Sequence, residues 1–160
     1  MKLSIIILAA GQGKRMKSRL PKVLHSLAHK PLIQHVLDTA HALKPDSIHI
    51  IYGFGGEQVR TAIKTPSIQW VEQTQQLGTG HAVAQAMPQI SDDNQVLVLY
   101  GDVPLMTVET LQDLITQSQS DNIGVLTVKL SNPQGYGRIV RNAEMRYKFL
   151  AYHTSICGKL

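Results

Sequence analysis

Short apolar runs alternate along the chain with segments in which apolar residues recur every three or four positions. Such a run, rich in β-branched residues, is typical of a buried strand, whereas the longer spacing is typical of a helix with one apolar face. Alternation of the two predicts an α/β domain with a mostly parallel central sheet flanked by helices. The predicted strands are Leu3–Leu8, Ser47–Tyr52, Ile68–Glu72, Gln95–Tyr100 and Ile123–Leu130.

Helices are predicted between these strands. The clearest is Pro31–Leu43, which has one apolar and one polar face and which Pro45 prevents from continuing. Others are predicted at Gly80–Met87, after Thr107 as an N-cap, and, shorter, at Glu57–Lys64. There is no internal repeat or linker-like stretch, so we expect one domain.

Composition restricts the function only weakly. The 160 residues are 43% hydrophobic and 17% charged, the balance of a globular protein with a core. Sixteen Lys and Arg against eleven Asp and Glu give a formal charge of +5. That charge favours a polyanionic ligand, a nucleotide or a nucleic acid, without choosing between them.

Three features bear on location. The single cysteine, Cys157, cannot form an intrachain disulfide, and no apolar run approaches the ~20 residues of a membrane-spanning helix. The first ten residues combine a basic start with a short apolar stretch, as a signal peptide does, but a buried strand explains the same isoleucines. We therefore expect a cytoplasmic protein without membrane contact.

The first predicted strand leads into a turn of small residues with two cations, Leu8-Ala9-Ala10-Gly11-Gln12-Gly13-Lys14-Arg15-Met16. Small residues let backbone N–H groups approach a ligand, and nearby cations suit phosphate. The spacing excludes a Walker A loop and a dinucleotide-binding loop, whose third glycine would fall at Met16. Taken alone, the turn is also compatible with a glycine-rich turn beside solvated bases.

Leu20-Pro21-Lys22 follows, and the whole resembles the signature of sugar-1-phosphate nucleotidyltransferases. From Leu3 to about Asn142 the chain is similar to the uridylyltransferase domain of the bifunctional N-acetylglucosamine-1-phosphate uridylyltransferase/glucosamine-1-phosphate acetyltransferases. The likeness rests on Val23-Leu24-His25, Gln34-His35-Val36, Gln76-Leu77-Gly78-Thr79-Gly80-His81-Ala82, Leu99-Tyr100-Gly101-Asp102-Val103-Pro104-Leu105 and Gly135-Tyr136-Gly137-Arg138-Ile139.

This resemblance implies a Rossmann-like nucleotidyltransferase fold and uridylyl transfer from UTP to N-acetylglucosamine 1-phosphate. The products would be UDP-N-acetylglucosamine, a cell-envelope precursor, and pyrophosphate. Arg15, Lys22 and Asp102 would be catalytic, and Gly137 would contact the sugar. The nucleotide contacts that the resemblance implies are Leu8, Ala9, Ala10, Gly11, Lys22, Gln73, Gly78, Thr79, Tyr100, Gly101 and Asp102.

Elementary chemistry agrees with several of these roles. Arg15 and Lys22 would neutralise charge on the phosphates as pyrophosphate leaves, and Gln73 offers both a donor and an acceptor to uracil. Asp102 follows a predicted strand, where ligands of open α/β sheets bind, and a carboxylate there suits Mg2+, although Asp is also a common turn residue. The histidines show no metal-ligand spacing, and Cys157 has no evident base beside it in sequence.

The chain departs from the family at two places. Lys14 stands where the family usually has Thr or Ser, and residues 143–160 read as an atypical tail after an N-terminal nucleotidyltransferase part at 1–142. We expect the family's later sugar and metal ligands, and its left-handed β-helix acetyltransferase domain, to have no counterpart here. That β-helix drives trimer formation in full-length members. The expected result is the nucleotide half of a site with impaired turnover.

Two alternatives to a uridylyltransferase stay open. A nucleotide-binding remnant would bind UTP without turnover, and a basic nucleic-acid-binding module would bind RNA or DNA with strong salt dependence. The second is disfavoured because the basic residues are dispersed and no aromatic-rich recognition motif accompanies them.

Overall fold

The predicted alternation of strands and helices is present in the structure, a computed structural model. It describes residues 2–11, 13, 16–53, 55–118, 123–132 and 134, and the backbone of 138–141, 147–150 and 156–158. Short 3-10 turns occupy Lys22–Leu24 and Met87–Gln89. The strands are β1 (Leu3–Leu8), β2 (Ser26–Leu27), β3 (Lys30–Pro31), β4 (Ser47–Tyr52), β5 (Ile68–Glu72), β6 (Gln95–Tyr100), β7 (Gly124–Val125), β8 (Arg138–Arg141), β9 (Tyr147–Leu150) and β10 (Ile156–Gly158). The helices are α1 (Leu32–Ala42), α2 (Gly56–Ala62), α3 (Thr79–Ala86) and α4 (Val108–Gln117).

A central sheet has the strand order β5-β4-β1-β6-β10-β7. Strands β5, β4, β1 and β6 are mutually parallel, while β10 is antiparallel to both β6 and β7. In β1 the successive residues Ile5, Ile6 and Ile7 are all fully buried, as expected where both faces of a parallel sheet are covered. The predicted fold class is confirmed.

Helices cover the sheet on both faces. On one face α1, α2 and α4 contribute Ile33, Leu37, Val59 and Leu111 to a core built on Ile5 and Ile7. On the other face α3 contributes Ala82 and Ala86 to a second core with Ile6 and Ile51. In the part of the chain that the structure describes, each helix is too short or too polar to cross a bilayer.

The first four predicted strands are confirmed with their bounds, but the fifth is wrong in length. Instead of Ile123–Leu130, the strand is only Gly124–Val125, which pairs with Cys157 and Ile156 of β10. Val128 and Leu130 are 73% and 37% exposed, so this apolar run is not buried as a strand inside a covered sheet would be.

The boundaries of α1, α2 and α3 shift by one or two residues from the predictions. Pro31 lies before α1 with an extended backbone, since it pairs with Ser26 in a β2–β3 hairpin that carried no periodic signal. Helix α3 begins at Thr79, one residue early, because the backbone of Gly78 (φ 107°) ends the preceding loop. The predicted N-cap of α4 is confirmed: Thr107 Oγ1 accepts a hydrogen bond from the Thr110 N–H at 3.3 Å.

Candidate functional site

A cavity of about 260 Å³ opens beyond the carboxyl ends of β1 and β6. These strands are neighbours, and Leu8 and Tyr100 at their ends are register partners. The chain order runs from β1 outward to β4 and β5 on one side and to β6 on the other. The cavity therefore lies at the point where strand order reverses, which is where open α/β sheets bind ligands.

Nearly all the described residues predicted to contact a nucleotide line this cavity. The glycine turn after β1 and the aspartate after β6, far apart in sequence, face the same space. Gly101 is the exception within this set. It is buried and does not line the cavity, and its N–H donates to the Leu8 carbonyl at 2.9 Å. The lining predicted residues are Leu8, Ala9, Ala10, Gly11, Lys22, Gln73, Gly78, Thr79, Tyr100 and Asp102.

Two predicted site residues, Arg15 and Gly137, lie outside the described residues, as does Lys14. The cavity is also lined by Gly13, Val23, Gln76 and Ala82, which had no predicted role. Of these, Gln76 could have been predicted from the sequence, because it is a polar residue in the loop between the end of β5 and the start of α3.

The turn after β1 is anchored by close contacts with its neighbours. The Ala9 N–H donates to the Ile51 carbonyl at 2.8 Å, and the Met16 N–H donates to the Gly13 carbonyl at 2.8 Å. Gly13 adopts a left-handed backbone (φ 56°), and a Cβ on it would lie 3.1 Å from the Cβ of Lys22. Only glycine fits this position without strain. This close approach leaves Lys22 beside the cavity that both residues line.

Lys22 and Asp102 form an ion pair at the cavity wall. The Lys22 Nζ lies 2.5 Å from Asp102 Oδ2, and the two side chains are 38% and 17% exposed. Lys22 opens the 3-10 turn whose Val23 is buried, and Asp102 sits in the turn that follows β6. Two of the residues predicted to be catalytic thus meet across 80 positions of sequence.

The same carboxylate is the only predicted metal ligand. Within the described residues there is no group of three or more His, Cys, Asp or Glu that could hold a metal ion. Asp102 already pairs with the Lys22 ammonium, and a carboxylate oxygen is the donor that a hard divalent cation prefers when phosphate and water complete its shell. The residues that the structure describes fit a divalent cation bound together with a phosphate ligand, and do not form a cage for the metal alone.

The opposite wall is built by Gln73 and the start of α3. The Gln73 N–H donates to the Tyr52 carbonyl at 2.8 Å, and its side-chain Nε2 lies 3.1 Å from the Gly78 carbonyl oxygen. Gly78 precedes the helix and Thr79 begins it. Because a helix N-terminus carries unpaired N–H groups and partial positive charge, this wall also favours an anionic or polar ligand.

These features define a nucleotide-binding domain of the nucleotidyltransferase type. The chain belongs to the MobA-like NTP transferase domain family, whose model matches residues 5–155. The predicted membership of a nucleotidyltransferase family is confirmed.

Among curated proteins, the chain is similar to the Bifunctional protein GlmU of Idiomarina loihiensis, at 56% identity over 142 residues. It is also similar to the Bifunctional protein GlmU of Dechloromonas aromatica, at 60% identity over 140 residues. The alignments cover 89% and 88% of this chain and 31% of each relative, so the chain spans about a third of the length of the curated relatives it matches. The resemblance expected from the motifs is confirmed.

Solved structures support the fold. A proposed glucose-1-phosphate thymidylyltransferase from Bacillus anthracis matches with a TM-score of 0.82 at 18% identity, covering 98% of this chain and 71% of that one. HddC from Yersinia pseudotuberculosis complexed with GMP-PN matches with a TM-score of 0.73 at 18% identity, covering 98% and 73%.

Proposed function

We propose that this chain binds UTP together with Mg2+ in the cavity between β1, β6 and α3, and belongs to a uridylyltransferase. The reaction would transfer the uridylyl group to N-acetylglucosamine 1-phosphate, giving UDP-N-acetylglucosamine and pyrophosphate in the cytoplasm. The observation that carries the proposal is the convergence of the glycine turn, Lys22 and Asp102 on one cavity. The similarity to GlmU proteins supports the choice of uracil and of the sugar.

The reaction requires the protein mainly to position the two substrates and to neutralise the charge on their phosphates. An oxygen of the sugar phosphate attacks the α-phosphorus of UTP, a P–O bond forms there, and the bond to pyrophosphate breaks. The attacking phosphate is already an anion near neutral pH, so no strong general base is required. Lys22, with Arg15 proposed beside it, would neutralise the charge on the phosphates as pyrophosphate departs.

Mg2+ would be held by Asp102 together with phosphate oxygens and water. The cation would supply further neutralisation of the triphosphate. Lys22 contacts that carboxylate, so the arrival of a phosphate ligand gives both partners of the ion pair a new contact: Lys22 with phosphate and Asp102 with the cation.

Calorimetric titration of the 160-residue chain tests the proposal. We expect UTP to bind at least about tenfold more tightly with Mg2+ than without it, and ATP and GTP to bind at least about tenfold more weakly than UTP. Asp102→Ala should remove the Mg2+ enhancement. Asp113→Ala, which removes an exposed carboxylate on α4, is the matched control and should preserve it. Equal binding of all three nucleotides, or an enhancement that survives Asp102→Ala, would contradict the proposal.

Pyrophosphate release with N-acetylglucosamine 1-phosphate then separates a transferase from a nucleotide-binding remnant. Because residues 143–160, which the sequence predicts to be an atypical tail, follow the proposed sugar contact Gly137, we expect slow turnover despite firm UTP binding. Steeply salt-dependent affinity for RNA or DNA, with no preference for UTP, would instead support a nucleic-acid-binding module.

A further inference from the structure

The side-chain amide of Gln73 is held in one orientation. Gln73 is 4% exposed, and its Nε2 lies 3.1 Å from the Gly78 carbonyl oxygen and 3.0 Å from His81 Nδ1. A carbonyl oxygen only accepts hydrogen bonds, so the amide atom that faces Gly78 must be the nitrogen. The orientation therefore follows from the contact itself.

The same contact fixes the tautomer of the neutral His81 ring. Since Gln73 Nε2 is a donor, the Nδ1 atom of His81 must accept, and a neutral imidazole that accepts at Nδ1 carries its proton on Nε2. On the other side of the ring, Nε2 lies 3.2 Å from the amide nitrogen of Gln85, one helical turn further along α3. The Gln85 nitrogen also lies 3.4 Å from the His81 carbonyl oxygen. That longer contact is given up when the Gln85 amide turns over, so that its oxygen accepts the Nε2 proton.

Both protons of Gln73 Nε2 are engaged by these two contacts. The polar atom that Gln73 has left for the cavity it lines is its oxygen. A base that contacts the Gln73 side chain from this cavity would therefore meet a hydrogen-bond acceptor. Uracil carries a proton on ring nitrogen N3 and can donate to an acceptor, whereas cytosine has a lone pair there and would be repelled by it.

We infer that His81 is a positioning residue that holds the Gln73 oxygen toward the base and so makes the site select uracil over cytosine. The inference rests on the proposed function, because it assumes that UTP binds in this cavity. His81 acts through Gln73, because it is not among the described residues that line the cavity. If the amide of Gln73 could turn over, its nitrogen would donate to N3 of cytosine and selectivity would fall.

Two substitutions at position 81 separate this role from simple packing. His81→Phe keeps a planar ring but removes the acceptor at Nδ1. His81→Asn is smaller, but its carbonyl oxygen can occupy a position close to that of Nδ1 and accept from Gln73. If His81 only packs, His81→Phe should change the ratio of UTP to CTP affinity less than His81→Asn does. The inference predicts the opposite order.

The experiment is to measure the affinity of each variant for UTP and CTP with Mg2+, checking by thermal unfolding that each is folded. We expect the wild-type chain to prefer UTP, and His81→Phe to reduce the ratio of the two affinities about tenfold, through weaker UTP and stronger CTP binding. His81→Asn should restore most of the ratio. Loss of affinity for both nucleotides in equal proportion, with an unchanged ratio, would overturn the inference and leave the proposed function intact.

A measurement without nucleotide tests the geometry separately. Nitrogen NMR of the 15N-labelled chain should show the neutral form of His81 with its proton on Nε2. A proton on Nδ1 would overturn the inference whatever the nucleotide data show. A wild-type chain that binds neither UTP nor CTP would overturn the proposed function, and with it the choice of base.

Discussion

Gly11 and Gly13 are two residues apart in the turn after β1, yet their environments differ. Gly13 has a left-handed backbone, and a Cβ on it would press against Lys22, so its lack of a side chain serves the fold. Gly11 has no left-handed φ, and among the described atoms none lies within 4 Å of the position that a Cβ would take. A methyl group at residue 11 therefore meets open space unless a ligand occupies the cavity that Gly11 lines.

We predict that Gly11→Ala leaves the thermal midpoint of unfolding unchanged but weakens UTP binding about tenfold or more, because the nucleotide must approach the backbone at this residue. Differential scanning calorimetry and nucleotide titration measure the two effects. Gly80→Ala is the control, since Gly80 is exposed in α3, does not line the cavity and also has open space at its Cβ position. It should keep UTP binding and stabilise the helix by up to ~1 kcal/mol. Unchanged UTP affinity in Gly11→Ala would contradict the prediction.

Much of the candidate site was predictable at this scale because strand ends are predictable. Once β1 and β6 are placed in one parallel sheet, the residues after Leu8 and after Tyr100 must lie at the same edge. Sequence could not show that Lys22 pairs with Asp102, or that Gly101 turns its N–H toward the Leu8 carbonyl. Those contacts depend on the path of an irregular loop, which hydrophobic periodicity does not encode.

At the scale of elements, α4 shows how a short polar signal fixes a boundary. Thr107 has an extended backbone, its hydroxyl oxygen accepts from the Thr110 N–H, and Leu111 and Leu114 then turn into the core. This boundary was predictable because capping is a local interaction. The β2–β3 hairpin was not, since strands of two residues are too short to show alternation, and neither was the shortness of β7, which depends on a distant partner strand.

We predict that Thr107→Ala destabilises the chain by ~1 kcal/mol, because the Thr110 N–H loses its partner at the start of α4. Urea unfolding should show a lower midpoint with an unchanged slope. Thr116→Ala is the matched control in the same helix: its exposed hydroxyl donates to the Gln112 carbonyl at 2.8 Å, and alanine is the better helix former there. Equal destabilisation by both substitutions would show that the cap contributes nothing of its own.

At the scale of the whole molecule, polar groups gather at both ends of the parallel strands. The carboxyl ends carry the cavity with Lys22 and Asp102. Near the amino ends, under the face that α3 covers, Asn94 Nδ2 donates to Ser4 Oγ at 2.8 Å and the Ser4 and Ser47 hydroxyls lie 2.9 Å apart. Ser47 Oγ is in turn 3.0 Å from His49 Nε2, and His49 is fully buried. A change of charge in this second cluster should act on stability without acting on the cavity.

His49 gives the chain a stability that depends on pH in a defined direction. Burial lowers the pKa of His49 from its ordinary value of 6.5, and a side-chain contact with Gln89 opposes that shift only partly. Below pH 6.5 the unfolded chain takes up a proton that the folded chain resists. The free energy of unfolding should therefore have its full value above pH 6.5 and decrease as the pH falls toward the lowered pKa.

Urea unfolding from about pH 5 to about pH 8 measures this pH dependence of the free energy of unfolding. The stability difference between wild type and His49→Gln should be largest above pH 6.5 and shrink below it, because other titrating groups are common to both chains. A difference for His49→Gln that is constant over the same range would mean that the buried imidazole does not couple folding to protons.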